Sequence, residues 1–293
     1  MARTLSIGFE FECLAHATSR DYSCQDRIVD AINLTTAHRA RCRFDHYLPG
    51  ETQWIVTNDA SIVARPGECP VELISPPIED DAGLNLFGPT SQREWKHSIA
   101  EVFASLKHLN LWTNPTTGLH VHLAPGIGRT WTLPHLRRIA LIFVLLERQL
   151  DMYHSPHRWR TSPHTTRYLQ SMRRSRFCVG MTNQQLGNFI LETRSWQELA
   201  ALVNPDPARR EPYSRYYKVN FTAMGVHGTV EFRQHEGTVE LPDIFGWGDT
   251  LLVLVRLAIR ADDQSLLQLC LSKIKLFDLI ALAKGTKWFP GLG

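Results

Sequence analysis

The sequence predicts an α+β fold, an antiparallel sheet with helices gathered on one side. Three observations predict it. First, Glu10-Phe11-Glu12, His120-Val121-His122 and Glu231-Phe232-Arg233 each place two polar residues at i and i+2 around a large apolar one. A strand has a side-chain period of two, so each pair points to one face of a sheet and its neighbours to the other. Second, Trp95, Ile99, Val102, Phe103 and Leu106 form one stripe at helical spacing. Third, short strand-like runs alternate with helical ones, with no internal repeat, low-complexity run or linker, which suits one α+β domain over residues 1–293.

Thr4–Leu14 reads as a buried strand, and Gln25–Arg39 carries helical apolar spacing at Ile28, Val29, Ile32 and Leu34. Cys42–Tyr47 and Gln53–Thr57 read as two short strands joined by a Pro49-Gly50 turn. Asn58-Asp59 begins a turn. Ile62–Arg65 is a further strand candidate, and Cys69–Ile74 is a strand ended by Ser75-Pro76-Pro77. Ser91–Leu109 is a helix with Ser91 as N-cap. The loop Asn114–Gly118 opens the strand Leu119–Leu123, and Thr132 caps a long helix to about Tyr153. His154–Arg176, rich in His, Arg, Pro and Ser, reads as an exposed connection with a short helix near Tyr168–Met172. Thr182–Leu191 and Ser195–Val203 are short capped helices. Tyr216–Thr222 and Thr229–Gln234 form a hairpin around Met224–Gly228. Leu241–Ile259, Asp263–Leu271 and Phe277–Ala283 are helical.

The 293 residues are 43% hydrophobic and 21% charged, an ordinary globular composition. A net charge of +3 from 32 basic and 29 acidic residues is too even to argue for nucleic acid or an anionic membrane. The first residues enter a strand-like run without a signal-peptide core, and the apolar stretches are too short to span a bilayer, so the expected location is the cytoplasm. Six scattered cysteines without CxxC spacing read as free thiols in a reducing compartment.

Glu10 and Glu12 lie on one strand face in an apolar run. They are either the solvated face of an edge strand or ligands of a divalent cation, which relieves the repulsion between carboxylates. His120 and His122 suit transition-metal ligation or a hydrogen bond to phosphate. Glu231 and Arg233 form either a salt bridge or a metal ligand beside an arginine placed for a phosphoryl oxygen. Glu72, a lone carboxylate between apolar residues, can complete a metal shell, whereas Asp59 reads as a turn residue. Arg215, Lys218 and Asn220 lie one strand from Glu231, with Lys218 and Asn220 on one face. Gly237-Thr238 would let the backbone approach a ligand.

In order, Gly8-Phe9-Glu10-Phe11-Glu12, Asp59-Ala60-Ser61-Ile62, Glu72-Leu73-Ile74-Ser75-Pro76, Gly118-Leu119-His120-Val121-His122 and Thr229 to Thr238 resemble the amidoligase family. That family belongs to the glutamine synthetase and glutamate–cysteine ligase superfamily of carboxylate–amine ligases. The resemblance implies a curved, glutamine synthetase-like antiparallel sheet cupping the site, and ATP-dependent amide formation through an acyl phosphate. It implies ATP with Mg2+ or Mn2+ as cofactors, and a carboxylate and an amine as substrates. It implies Glu10, Glu12, Glu72, His120 and Glu231 as metal ligands. His122 and Arg233 fall near the nucleotide phosphates, with Arg215, Lys218 and Asn220 as further nucleotide contacts. Arg233, Glu12 and Glu231 carry catalysis. Pro76–Pro89 and His154–Arg176 are candidate closing loops. A different scaffold, a cupin-like oxygenase or hydrolase with His120, His122 and one Glu on iron or zinc, is the alternative.

Overall fold

A computed structural model describes residues 4–17, 23–42, 52–80 and 94–284. The chain divides into two compact units, one formed by Met1–Arg129 with His235–Trp247, the other by Thr130–Gln234 with Gly248–Gly293. Each unit draws on two separate stretches, so no single linker in the sequence marks a boundary.

The first unit is built on a sheet around β1 (Leu5–His16). Its order is β2 (Ala40–Cys42), β3 (Trp54–Thr57), β4 (Glu68–Ile74), β1 and β6 (Gly118–Ala124), and β5 (Ile78–Asp80) also pairs with β1. β1 is antiparallel to β4, β5 and β6. Strand alternation does what the sequence implies. Phe9 and Phe11 are buried, with Phe9 against Trp95 at 5.4 Å and Phe11 between Phe103 at 4.9 Å and Trp54 at 6.3 Å. Trp95 and Phe103 belong to α2 (Glu94–Leu106), whose apolar stripe therefore covers the odd-numbered face of β1 and leaves the even-numbered one to the polar residues. α1 (Cys24–Thr35) also packs on this sheet and starts in a capping box between Ser23 and Asp26.

The second unit is mainly helical. It contains α3 (Leu133–Leu145), α4 (Glu147–Asp151), α5 (Pro163–Tyr168), α6 (Asn183–Glu192), α7 (Trp196–Val203), α9 (Asp263–Leu271) and α10 (Leu276–Ala283). α8 (Leu241–Arg260) begins in the first unit and ends in the second. A hairpin of β7 (Val219–Asn220) and β8 (Val230–Glu236, whose last two residues fall in the first unit) pairs Val219 with Phe232 and Asn220 with Glu231. Phe232 is buried against Phe143 of α3 at 4.6 Å. Arg138 of α3 and Asp263 of α9 form a salt bridge at 2.6 Å.

Several expectations are corrected. β2, over Ala40–Cys42, pairs in parallel with β3; the expected hairpin strand from residue 43 to Tyr47 and its Pro49-Gly50 turn lie outside the described residues, as does the Ser91 cap. Residues 62–65 are not a strand, because the chain there bonds to the Asn114 loop, through Val63 N to Thr116 Oγ1 and Asn114 Nδ2 to Val63 O. β4 ends at Ile74, as expected. Of the candidate closing loop after it, Ile78–Asp80 form β5, pairing with Leu5–Ile7 just beyond where β4 parts from β1, and residues 81–89 lie outside the described residues. The helix from Leu133 breaks at Leu146 rather than running to Tyr153. Residues 154–176 are not an exposed connection: Arg158, Thr165, Leu169 and Met172 are buried, and the short helix lies at Pro163–Tyr168. β7 is only two residues long because a 3-10 turn over Phe221–Gly225 follows it. Finally, Cys24 and Cys69 form a disulfide; only Cys13, Cys42, Cys178 and Cys270 are free, as the thiol reading expected. Among the described residues no helix is long and apolar enough to cross a membrane.

Candidate active site

The register of β1 assembles the polar face of the first unit. Gly8 pairs with His122 and Glu10 with His120 on one side, and Glu12 pairs with Glu72 on the other. Side chains directly across a ladder are close neighbours. Glu10 Oε2 lies 3.1 Å from His120 Nδ1, and Glu10 Oε1 lies 3.1 Å from His122 Nε2. His120 Nε2 reaches Glu12 Oε1 at 3.4 Å, so this imidazole bridges the two carboxylates of the Glu-x-Glu pair. Burial pushes the Glu10 carboxyl up, but the two histidines outweigh it by charge and hydrogen bonding and hold it well below 4.5. Glu10 is therefore ionised at neutral pH.

Glu12 is 3% exposed, and its Oε2 accepts from Gly118 N at 2.6 Å. That bond depends on the loop before β6. Thr117 donates its hydroxyl to Asn114 O at 2.8 Å, and Thr117 O accepts from Gly237 N at 3.0 Å. Gly237 presses so close that a Cβ there would lie 2.1 Å from Thr117 Oγ1 and 3.1 Å from Glu12 O. The close approach expected of Gly237 is thus made to the protein's own frame.

Glu12, Asp59 and Glu72 form a carboxylate group, with one oxygen from each lying within 4.8 Å of the others. The register explains it. Thr57 pairs with Glu72, and Asp59 follows two residues later at the end of β3, where its Oδ1 accepts from Ser61 N at 2.5 Å. Asp59 is both the turn residue that the sequence suggested and a member of this group. Three carboxylates so close suit a hard divalent cation, which takes oxygen ligands and offsets their mutual repulsion.

In the second unit, Glu231 is buried and held from both sides. Asn220 Nδ2 donates to its Oε2 at 2.6 Å and Arg233 Nη1 to its Oε1, so the salt-bridge reading of Glu231 and Arg233 holds in this structure. Arg158 Nη2 donates to Arg233 O at 2.8 Å and fixes the strand from behind. Lys218, expected near a nucleotide, is only 2% exposed; its ammonium lies 2.7 Å from both oxygens of Asp151 and 3.4 Å from Glu147 Oε1. Glu147 also accepts from Met172 N at 2.8 Å and from the Ser171 hydroxyl. Burial raises its carboxyl, only partly offset by Lys218 and these hydrogen bonds. Arg215 is exposed and stacks on Tyr216 at 5.1 Å.

The first unit therefore gathers Glu10, Glu12, Glu72, His120 and His122, and the second gathers Lys218, Asn220, Glu231 and Arg233. Sequence reasoning missed Glu147 and Asp151. Their signal is an i, i+4 acidic pair in the apolar run from Ile139 to Tyr153. The cupin-like alternative needs two facing sheets of a double-stranded helix, whereas the first unit has one sheet with helices packed on it.

The sheet is open and mostly antiparallel, and its polar face in the first unit carries carboxylates and imidazoles. The sequence profile of the family described as "Putative amidoligase enzyme" matches residues 3–255, which include β1 through β8. The chain belongs to this amidoligase family, a family of ligases that form amide bonds. No curated protein matches the sequence.

Proposed function

We propose that the chain is an ATP-dependent carboxylate–amine ligase of the glutamine synthetase and glutamate–cysteine ligase type. The observation that carries this reading is the Glu12–Asp59–Glu72 group, beside an ionised Glu10 that holds two histidines. The donor set fits Mg2+ or Mn2+, since it offers carboxylate oxygens and no thiolate. A divalent cation bound there would neutralise phosphate oxygens and polarise the transferred group.

The chain's own residues do the rest by position. Gly118 N and His120 fix the Glu12 carboxylate, so its orientation is set before a ligand arrives. Glu10 keeps the rings of His120 and His122 on the polar face, and His122 is assigned to a phosphate oxygen. Asn220 holds Glu231, assigned as a metal ligand, and Glu231 holds Arg233, assigned to charge developing on the phosphoryl group. In the reaction, the substrate carboxylate attacks the γ-phosphorus of ATP and ADP leaves. An amine nitrogen then attacks the acyl carbon, phosphate leaves with the C–O electron pair, and the amine gives up a proton. There is little covalent work for the protein in either step beyond alignment and charge.

Hydroxylamine tests this reading, because it traps an activated acyl group as a hydroxamate. The protein with ATP, Mg2+, hydroxylamine and a panel of free and peptide carboxylates should release ADP and form hydroxamate. Release of AMP and pyrophosphate instead would overturn the acyl-phosphate route.

A further inference from the structure

The charge is nearly balanced over the whole chain, but residues 152–191 contain six arginines and no Asp or Glu. Four of the six donate hydrogen bonds within the chain, and Arg160 lies over the ring of its neighbour Trp159 at 5.5 Å. Arg158 is buried and donates to Arg233 O of β8. Arg173 donates to Met181 O, Arg174 to Thr161 Oγ1 and Arg176 to Asp206 O. Arg167 differs. It is exposed and lies over the ring of Tyr168 at 5.0 Å. Tyr168 meets Tyr216 edge-on at 5.6 Å, and Arg215 lies over Tyr216 at 5.1 Å. The result is a ladder, Arg167–Tyr168–Tyr216–Arg215, within the second unit.

Backbone bonds build the ladder. Gln170 N donates to Tyr216 O at 2.7 Å, and Lys218 N donates to Gln170 O at 3.0 Å. The segment after α5 is thus zipped to the segment before β7. Lys218 in turn is anchored by Asp151. Among the described residues neither Arg167 nor Arg215 takes part in a salt bridge. Arg215 Nη2 also donates to the Tyr216 hydroxyl at 3.4 Å. Guanidinium groups stacked on rings are weakly hydrated and pre-oriented, and their remaining N–H groups are available to bind oxyanions. Two such groups on separate rings match a ligand with more than one carboxylate.

We propose that this ladder binds the carboxylates of an acidic peptide, and that an acidic peptide is the substrate class of the ligase. The second half of this inference rests on the ligase reading above. Single-stranded nucleic acid is the less favoured ligand. Its bases need open aromatic faces, and here a guanidinium covers a face of each tyrosine. A chain of net charge +3 also offers a polyanion no extended positive field.

The test is fluorescence anisotropy with labelled hexaglutamate, against hexaglutamine and an oligouridylate, without ATP or metal. Hexaglutamate should bind, hexaglutamine should not, and salt raised from about 50 to about 200 mM should weaken binding. Arg167→Ala and Arg215→Ala, both on exposed side chains, should each weaken it about tenfold, the loss of one charge-assisted pair; Arg167→Lys should restore part of it. With ATP, Mg2+ and hydroxylamine, Arg167→Ala should raise KM for hexaglutamate while largely keeping kcat. Equal binding of hexaglutamine, unchanged affinity in both alanine variants, or tighter binding of the oligouridylate would overturn the proposal. The two readings fail separately. Hexaglutamate bound through Arg167 but never activated would sink the ligase reading and keep the ladder. Hydroxamate from small carboxylates with no hexaglutamate binding would sink the ladder and keep the ligase.

Discussion

Replacing Gly237 with alanine should loosen the frame that orients Glu12. A Cβ at this position would lie 2.1 Å from Thr117 Oγ1, 2.6 Å from Thr117 Cβ and 3.1 Å from Glu12 O. Favourable contacts between carbon atoms lie at about 3.5–4.0 Å, so the overlap with Thr117 is roughly 1 Å. Thr117 has little freedom to retreat. It is fully buried, its hydroxyl is bonded to Asn114 O, and its carbonyl accepts from Gly237 N. Overpacking of this kind costs about 1–3 kcal/mol. The opposing effect is the reduced entropy of the unfolded chain, which by itself favours alanine by about 0.4–1 kcal/mol. The overlap should win, and the sign decides between them. Urea unfolding followed by tryptophan fluorescence should show a lower midpoint for Gly237→Ala. Thr117→Gly removes the two nearest atoms, so the double variant should lose less than the sum of the single changes. A Gly237→Ala protein as stable as wild type, or more stable, would refute the reasoning.

Three more outcomes follow from the same structure. Mg2+ or Mn2+ should raise the melting temperature of the wild type, by an amount equivalent to about 2.7 kcal/mol at a hundredfold excess over Kd, and Glu72→Gln should abolish that rise; an undiminished rise in the variant would exclude the Glu12–Asp59–Glu72 group as the cation site. The Cys24–Cys69 disulfide spans 45 residues, so chain entropy assigns it roughly 4 kcal/mol, and reductant should lower the stability of wild type but not of a Cys24→Ser, Cys69→Ser protein. Glu147 has its carboxyl raised by burial above 4.5, so the folded state holds its proton more tightly than the unfolded chain does. Its contribution is fully present below about pH 4.5 and is lost as pH rises through the raised folded value. The stability of wild type relative to Glu147→Gln should therefore fall across that interval in urea titrations, and a constant difference would show that Glu147 does not titrate in this way.

The polar face was legible because strand period is a local property. Glu10, Glu12, His120 and His122 needed only alternation with Phe9, Phe11, Leu119 and Val121 to be placed on one side. The α2 stripe was legible for the same reason, at helical period. What was not legible depends on register between distant segments. Asp59 joins Glu12 and Glu72 only because Thr57 pairs with Glu72. β5 exists because β1 has a free edge beyond the end of β4, which no pattern in Ile78–Asp80 announces. Lys218 lies just before β7, and its ammonium finds its partners on α4, a helix that sequence spacing runs together with α3. The disulfide escaped because pairing of Cys24 with Cys69 is set by how α1 lies on β4, not by cysteine spacing.

The central claim is that a substrate carboxylate attacks the γ-phosphate of ATP, and oxygen labelling tests it most directly. A carboxylate substrate found by the hydroxylamine screen would be enriched in oxygen-18 and turned over with ATP, Mg2+ and an amine. Mass spectrometry of the released phosphate should find one labelled oxygen in each phosphate formed alongside ADP. Unlabelled phosphate, or label appearing in AMP, would contradict the account.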